Sequence, residues 1–129
     1  MGVLVELVCE TDFVAKSPEF NDVATDIAMH VSWANPMAVT RDDLDEAVIA
    51  KEKELFEREA KASGKPEAAI EKIIGGRLEK FITEQVLTEQ QFVNAQKFEG
   101  TVGDMVTALA TKMGENISIG RISRIAVGE

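Results

Sequence analysis

Two carboxylates, Glu10 and Asp12, share one polar turn, the kind of pair that carries acid-base catalysis when a nucleophile or an oxyanion-binding set stands beside it. No such group can be named near them, so the turn reads as a binding element rather than a catalytic one. The single histidine, His30, lies in Ile27-Ala28-Met29-His30-Val31 with no cysteine or second histidine at ligand spacing, which argues against zinc and for a partly buried or partner-contacting imidazole. The single cysteine, Cys9, can build no internal disulfide; it reads as a small reduced hydrophobe, with an intersubunit bridge as the alternative. There is no Gly-x-x-x-x-Gly-Lys-Ser/Thr loop, and Gly100, Gly103 and Gly114 fall at caps and helix ends, so the chain does not itself cradle a nucleotide phosphate and calls for no cofactor. What remains is Phe13, directly after Glu10-Thr11-Asp12. A large aromatic at the tip of a polar turn invites a protein partner.

That turn is delivered by Val3 to Cys9, a run that is apolar apart from Glu6 and predicts a strand covered on much of both faces. Ser17 as N-cap with Pro18 in the first turn opens a helix in which Phe20, Val23, Ala24, Ile27, Ala28 and Val31 keep helical spacing, and which should end before Asn35-Pro36. Trp33 and Met37 straddle that end, where the tryptophan either closes over the core or anchors an interface. Thr40 with Asp43 predicts the cap of a charged, solvated helix reaching about Ala62, with Lys53 and Glu57, Glu54 and Arg58, and Glu57 and Lys61 spaced to pair. From Lys65-Pro66-Glu67 a further helix carries the clearest 3.6-residue period, Ala69, Ile70, Ile73, Ile74, Leu78, Phe81 and Ile82, and this stripe is predicted to be core. Gly75 and Gly76 inside it predict a bend or a closely packed second backbone.

Thr88 to Gly100 has no period and reads as a connection with a short extended piece at Phe92-Val93. Thr101 with Asp104 caps a last helix, carrying Val102, Met105, Val106, Leu109 and Met113 and ended by Gly114. Ile117, Ile119, Ile122, Ile125 and Val127 form one or two closing strands, with Gly120 at a bulge or kink. The order strand, helices, strand predicts an α+β domain: a small antiparallel sheet packed with about four helices.

A chain of 129 residues is long enough for one domain and short for two, so residues 1–129 are treated as one. No segment reaches the roughly 18 uninterrupted apolar residues of a membrane span. The 14 Lys and Arg against 23 Asp and Glu give a net charge of −9, which repels nucleic-acid phosphates and anionic lipid and favours a protein partner over nucleic acid or membrane. The lone cysteine and an N-terminus unlike a secretion or transit signal fit a reducing compartment, the bacterial cytoplasm or an organelle interior after import.

The run Cys9-Glu10-Thr11-Asp12-Phe13-Val14-Ala15-Lys16 strongly resembles the signature of the elongation factor Ts family. Ordered similarities continue through Gly2-Val3-Leu4-Val5-Glu6, Ile27 to Val31 with Ala34-Asn35-Pro36, Gly64-Lys65-Pro66, Glu71-Lys72-Ile73, Gly76-Arg77-Leu78, Lys80-Phe81, Thr101-Val102-Gly103 and Gly114-Glu115-Asn116-Ile117 to Glu129. The resemblance implies a guanine-nucleotide exchange factor for elongation factor Tu in translation elongation, with no catalytic chemistry of its own. In that family the Asp and Phe of the turn enter the GTPase domain near its magnesium site, so that GDP leaves. Carried over, Phe13 is the wedge and Asp12 its polar companion, in a partner-binding set of Thr11, Asp12, Phe13 and Val14. His30, with its helix, is the candidate surface for a second domain of elongation factor Tu. The alternative is a non-catalytic binding or assembly module that exchanges poorly.

The resemblance also implies departures. Family members usually begin with a small helical domain and a strand that pairs with the signature strand, and both are expected to be absent here. Val8 stands where Asn is typical, and Gln91 where Pro is common. A bare apolar edge at Val3 to Cys9 would then favour a homodimer.

Overall fold

In the computed structural model, which describes residues 1–129, Gly2–Val8 forms strand β1 and alternates strictly between half-buried and exposed side chains. Val3, Val5 and Leu7 pack on the core, whereas Leu4 and Val8 face out. The strand is therefore covered on one face, not on both, because the helices pack against only one side of a sheet two strands wide. Its partner is β2, Ser118–Ile125, antiparallel, with Gly2 opposite Ile125 and Val8 opposite Ser118. The second edge of β1 is unpaired. Val5 faces Ile122 and Leu7 faces Ile119, so β2 carries one extra residue there, the bulge that Gly120 suggests. A Cβ on Gly120 would collide with the Glu6 carboxylate, which lies across the bulge to accept a 2.9 Å hydrogen bond from Arg121.

Five helices separate the strands: α1, Asp12–Ala15; α2, Pro18–Ala34; α3, Glu46–Ala62; α4, Glu67–Gln85; and α5, Val102–Met113. Ser17 caps α2 by accepting from the Phe20 N–H at 3.3 Å, and Asn35 ends it in the left-handed region. Thr101 and Asp104 form a reciprocal capping box on α5, and Gly114 closes it at φ 68°. The box of Thr40 and Asp43 closes only a single 3-10 turn, Arg41–Asp43. Leu44 then runs extended to bury its side chain against Ala38 and Val86, and Asp45 is the true cap of α3.

The main core lies between the sheet, α2 and α5, around Ile27, Val31, Leu87, Val102 and Leu109. α3 and α4 form a helical hairpin packed on itself, with the Arg77 guanidinium 4.4 Å over the Phe56 ring. No residue of α4 is fully buried, so its apolar stripe is half-buried rather than core: a single facing helix cannot enclose it. α4 also stays helical across Gly75-Gly76, and a Cβ at either would meet nothing within 4 Å, so no second backbone packs there. Of the three expected ion pairs on α3 only that of Glu54 with Arg58 forms. The base of the hairpin is tied down by Arg41, whose guanidinium bridges Glu79 and Glu89. No helix is long and apolar enough to cross a membrane.

Candidate partner-binding site

The polar turn after β1 folds as the one-turn helix α1. Thr11 caps it, its hydroxyl accepting from the Val14 N–H at 3.3 Å. Neighbouring residues of a helix point about 100° apart, and here that separates Phe13 from Val14. Phe13 is 86% exposed and Val14 is buried in the main core. Val14 is therefore the anchor of the turn and offers no surface to a partner, which corrects its place among the contact residues. Asp12 and Phe13 stand out from the protein, and the C-terminal side of α1 is pinned behind them. The Ser17 hydroxyl donates to the Val14 carbonyl at 2.8 Å, and the Asn21 amide donates to the Ala15 carbonyl at 2.9 Å.

The N-terminal side of the turn is held by a residue from the far end of the chain. Glu115, just past α5, accepts from the Glu10 and Thr11 N–H groups through Oε1 at 3.0 and 3.1 Å, and from the Thr11 hydroxyl through Oε2 at 2.6 Å. Glu10 returns the contact, its Oε2 accepting from the Asn116 N–H at 3.0 Å. The Thr11 hydroxyl bond, with the two N–H bonds, holds the Glu115 carboxyl below the usual carboxylate range despite partial desolvation. Thr11, itself exposed, thus serves both the clamp and the cap. Gly114-Glu115-Asn116-Ile117 is legible as a family-like string, but no local pattern says that a residue more than 100 positions away accepts these bonds.

His30 is at 0% exposure and cannot touch a partner. The imidazole stacks on Phe92, ring centroids 5.8 Å apart, with Nε2 at 2.9 Å from Gln90 Oε1 and Nδ1 accepting from the Val93 N–H at 3.2 Å. An acceptor on Nε2 and a donor on Nδ1 require the neutral ring with its proton on Nε2. Burial pushes its pKa below the ordinary histidine value, with the Gln90 bond acting the other way. The helix presents other residues instead. Trp33, 82% exposed, and Met29 border a hollow of about 450 Å³ with Phe92 and Val93, rimmed by the 2.7 Å ion pair of Lys97 with Asp26. His30 is 12 positions along α2 from its first residue, about 18 Å at 1.5 Å per residue, so the Trp33 patch is distinct from the Phe13 turn.

The family model described as Elongation factor TS matches residues 19–99, well over half of the chain. The chain belongs to the elongation factor Ts family. It is 48% identical over 129 residues to an elongation factor Ts of Alkaliphilus oremlandii, covering all of this chain and 59% of the relative. It is 50% identical over 128 residues to that of Desulfotalea psychrophila, covering 99% of this chain and 64% of the relative. For Thermosipho melanesiensis the identity is 49% over 129 residues, covering 65% of the relative. The chain thus spans about three-fifths of the length of the curated relatives it matches. Phe13 and Glu115 lie outside the span of the family model but inside the stretches aligned with these elongation factors Ts.

Proposed function

We propose that this chain acts as a guanine-nucleotide exchange factor for elongation factor Tu, in the cytoplasm of a bacterium, promoting GDP release by binding rather than by chemistry. The observation that carries the reading is Phe13, an aromatic left 86% exposed on a one-turn helix that is fastened on both sides. An aromatic of this size on a rigid mount is the kind of anchor that protein interfaces bury at their centre. Asp12 beside it brings a carboxylate to the same place, suited to perturbing a cation-assisted phosphate site.

Exchange requires that factor and nucleotide weaken each other reciprocally. A thousandfold weakening of GDP corresponds to about 4 kcal/mol. Burying one phenylalanine is worth about 1.5 to 3 kcal/mol, so a second contact is required. In this reading Met29 and Trp33 provide it, from the exposed side of the helix that buries His30. The test loads elongation factor Tu with a fluorescent GDP and follows its release as the chain is added. Acceleration that saturates with concentration supports exchange; binding without acceleration supports instead a module that docks on elongation factor Tu and exchanges poorly.

A further inference from the structure

Phe13 is held by none of its own side-chain atoms, since nearly all of that side chain is in solvent. Its direction is therefore set by the backbone of α1, and a four-residue helix has no independent stability. Behind Phe13 the turn is anchored locally, by Val14 in the core and by the bonds of Ser17 and Asn21 to carbonyls of residues 14–17. Ahead of it, the Glu10 and Thr11 N–H groups and the Thr11 hydroxyl all donate to the one carboxylate of Glu115, while the Glu10 carboxylate accepts from the Asn116 N–H. These four bonds cross between segments more than 100 residues apart, and each segment supplies both a carboxylate and backbone donors. Such a reciprocal arrangement fixes relative position as well as distance. Because Glu115 follows Gly114, whose left-handed conformation ends α5, the clamp refers the turn to the end of a core helix.

We infer that Glu115 is a positioning residue of the exchange turn: with Glu10 it locks α1 against the end of α5 and so sets the direction in which Asp12 and Phe13 meet the GTPase. The inference rests on the exchange reading above. It assigns to Glu115 no contact with the partner, and it makes the Thr11 hydroxyl a relay, accepting from the Val14 N–H within α1 while donating to Glu115 outside it. A carboxylate is the chemistry the place requires, because three donors converge on it and it has only acceptors to offer. Glutamine keeps the shape and one acceptor oxygen, and alanine keeps neither.

The experiment uses the full chain as wild type, Glu115→Ala, Glu115→Gln, Phe13→Ala and the Glu115→Ala/Phe13→Ala double variant. Fluorescent GDP release from elongation factor Tu is measured per folded molecule, and backbone amide hydrogen exchange is read at Glu10 and Thr11. Glu115→Ala is expected to speed amide exchange at those two residues while α2 and α5 stay protected, and to slow GDP release about tenfold or more, the scale on which a misplaced working group loses function. Glu115→Gln should fall between alanine and wild type. In the Phe13→Ala background Glu115→Ala should cost much less than it does alone, since it acts largely through the residue already removed and only the positioning of Asp12 is left to lose. Unchanged release in Glu115→Ala, or a full additional loss on top of Phe13→Ala, overturns the positioning role while leaving the exchange reading intact. Unchanged release in Phe13→Ala overturns the role of Phe13, and the inference with it, whereas no acceleration by the wild-type chain overturns the exchange reading itself.

Discussion

Replacing His30 by alanine should damage the fold far more than removing any exposed aromatic of this protein. The ring is fully enclosed, stacked on Phe92, and bonded at both nitrogens. Truncating a buried side chain of that size leaves a cavity worth about 3 kcal/mol. It also strips the Val93 N–H and Gln90 Oε1 of their partner, and at the lower end of the range for an orphaned polar group each adds about 1 kcal/mol. The sum, roughly 5 kcal/mol, rivals the whole stability of a domain with the usual margin of about 5 to 15 kcal/mol. Trp33, on the same helix, is 82% exposed, and its replacement by alanine should change stability by less than about 0.5 kcal/mol. Denaturant unfolding followed by far-ultraviolet circular dichroism compares the two. Circular dichroism is preferred because the only tryptophan is already solvated in the folded state. A His30→Ala loss below about 1 kcal/mol, or a Trp33→Ala loss exceeding it, would refute the assignment of His30 to the interior and of Trp33 to the surface.

Three further outcomes follow from the same geometry. His30 is pushed below the ordinary value of 6.5, chiefly by burial, so the unfolded chain binds its proton more readily; the stabilisation is full above about pH 6.5 and erodes as the pH falls from there through the folded pKa. The Gln90 bond opposes this without reversing it, and unfolding midpoints that stay flat from pH 7 to pH 5 would contradict it. Gly103→Ala should destabilise by about 1 to 3 kcal/mol, because its Cβ would lie 2.7 Å from the Thr88 carbonyl oxygen, whereas Gly75→Ala and Gly76→Ala, facing open space inside α4, should stabilise by up to about 1 kcal/mol. The unpaired edge of β1, which carries the exposed Leu4, should give a concentration-dependent homodimer by sedimentation that Leu4→Lys weakens; a monomer at the highest soluble concentration would contradict it.

Elements whose signals are local were legible in the residues, except that the Thr40–Asp43 box closes a 3-10 turn and Asp45 caps α3. Ser17-Pro18, Thr101 with Asp104, and Gly114 mark helix ends because capping is decided within four residues, and they fall where expected. Gly120 marked its bulge for the same reason. Burial was harder to read, because periodicity shows which face is apolar and not what covers it. The Ile73 to Phe81 stripe meets only one helix, β1 is covered on one face, and His30 sits deeper than its polarity suggests because Gln90 and Val93 satisfy both nitrogens from 60 and 63 residues away. At the turn, the exposure of Asp12 and Phe13 is readable from its polar residues; the burial of Val14 is not, because a one-turn helix points it inward, and no local signal marks Glu115 as the acceptor of the turn's N–H groups.

The most direct test of the account is the rate of GDP release from elongation factor Tu with wild-type chain against Phe13→Ala, each corrected for the folded fraction. Losing an aromatic that a partner buries removes about 1.5 to 3 kcal/mol, so the account predicts a fall of roughly tenfold to more than a hundredfold with the unfolding midpoint nearly unchanged. Equal release by the two proteins, at equal folded concentration, would contradict it.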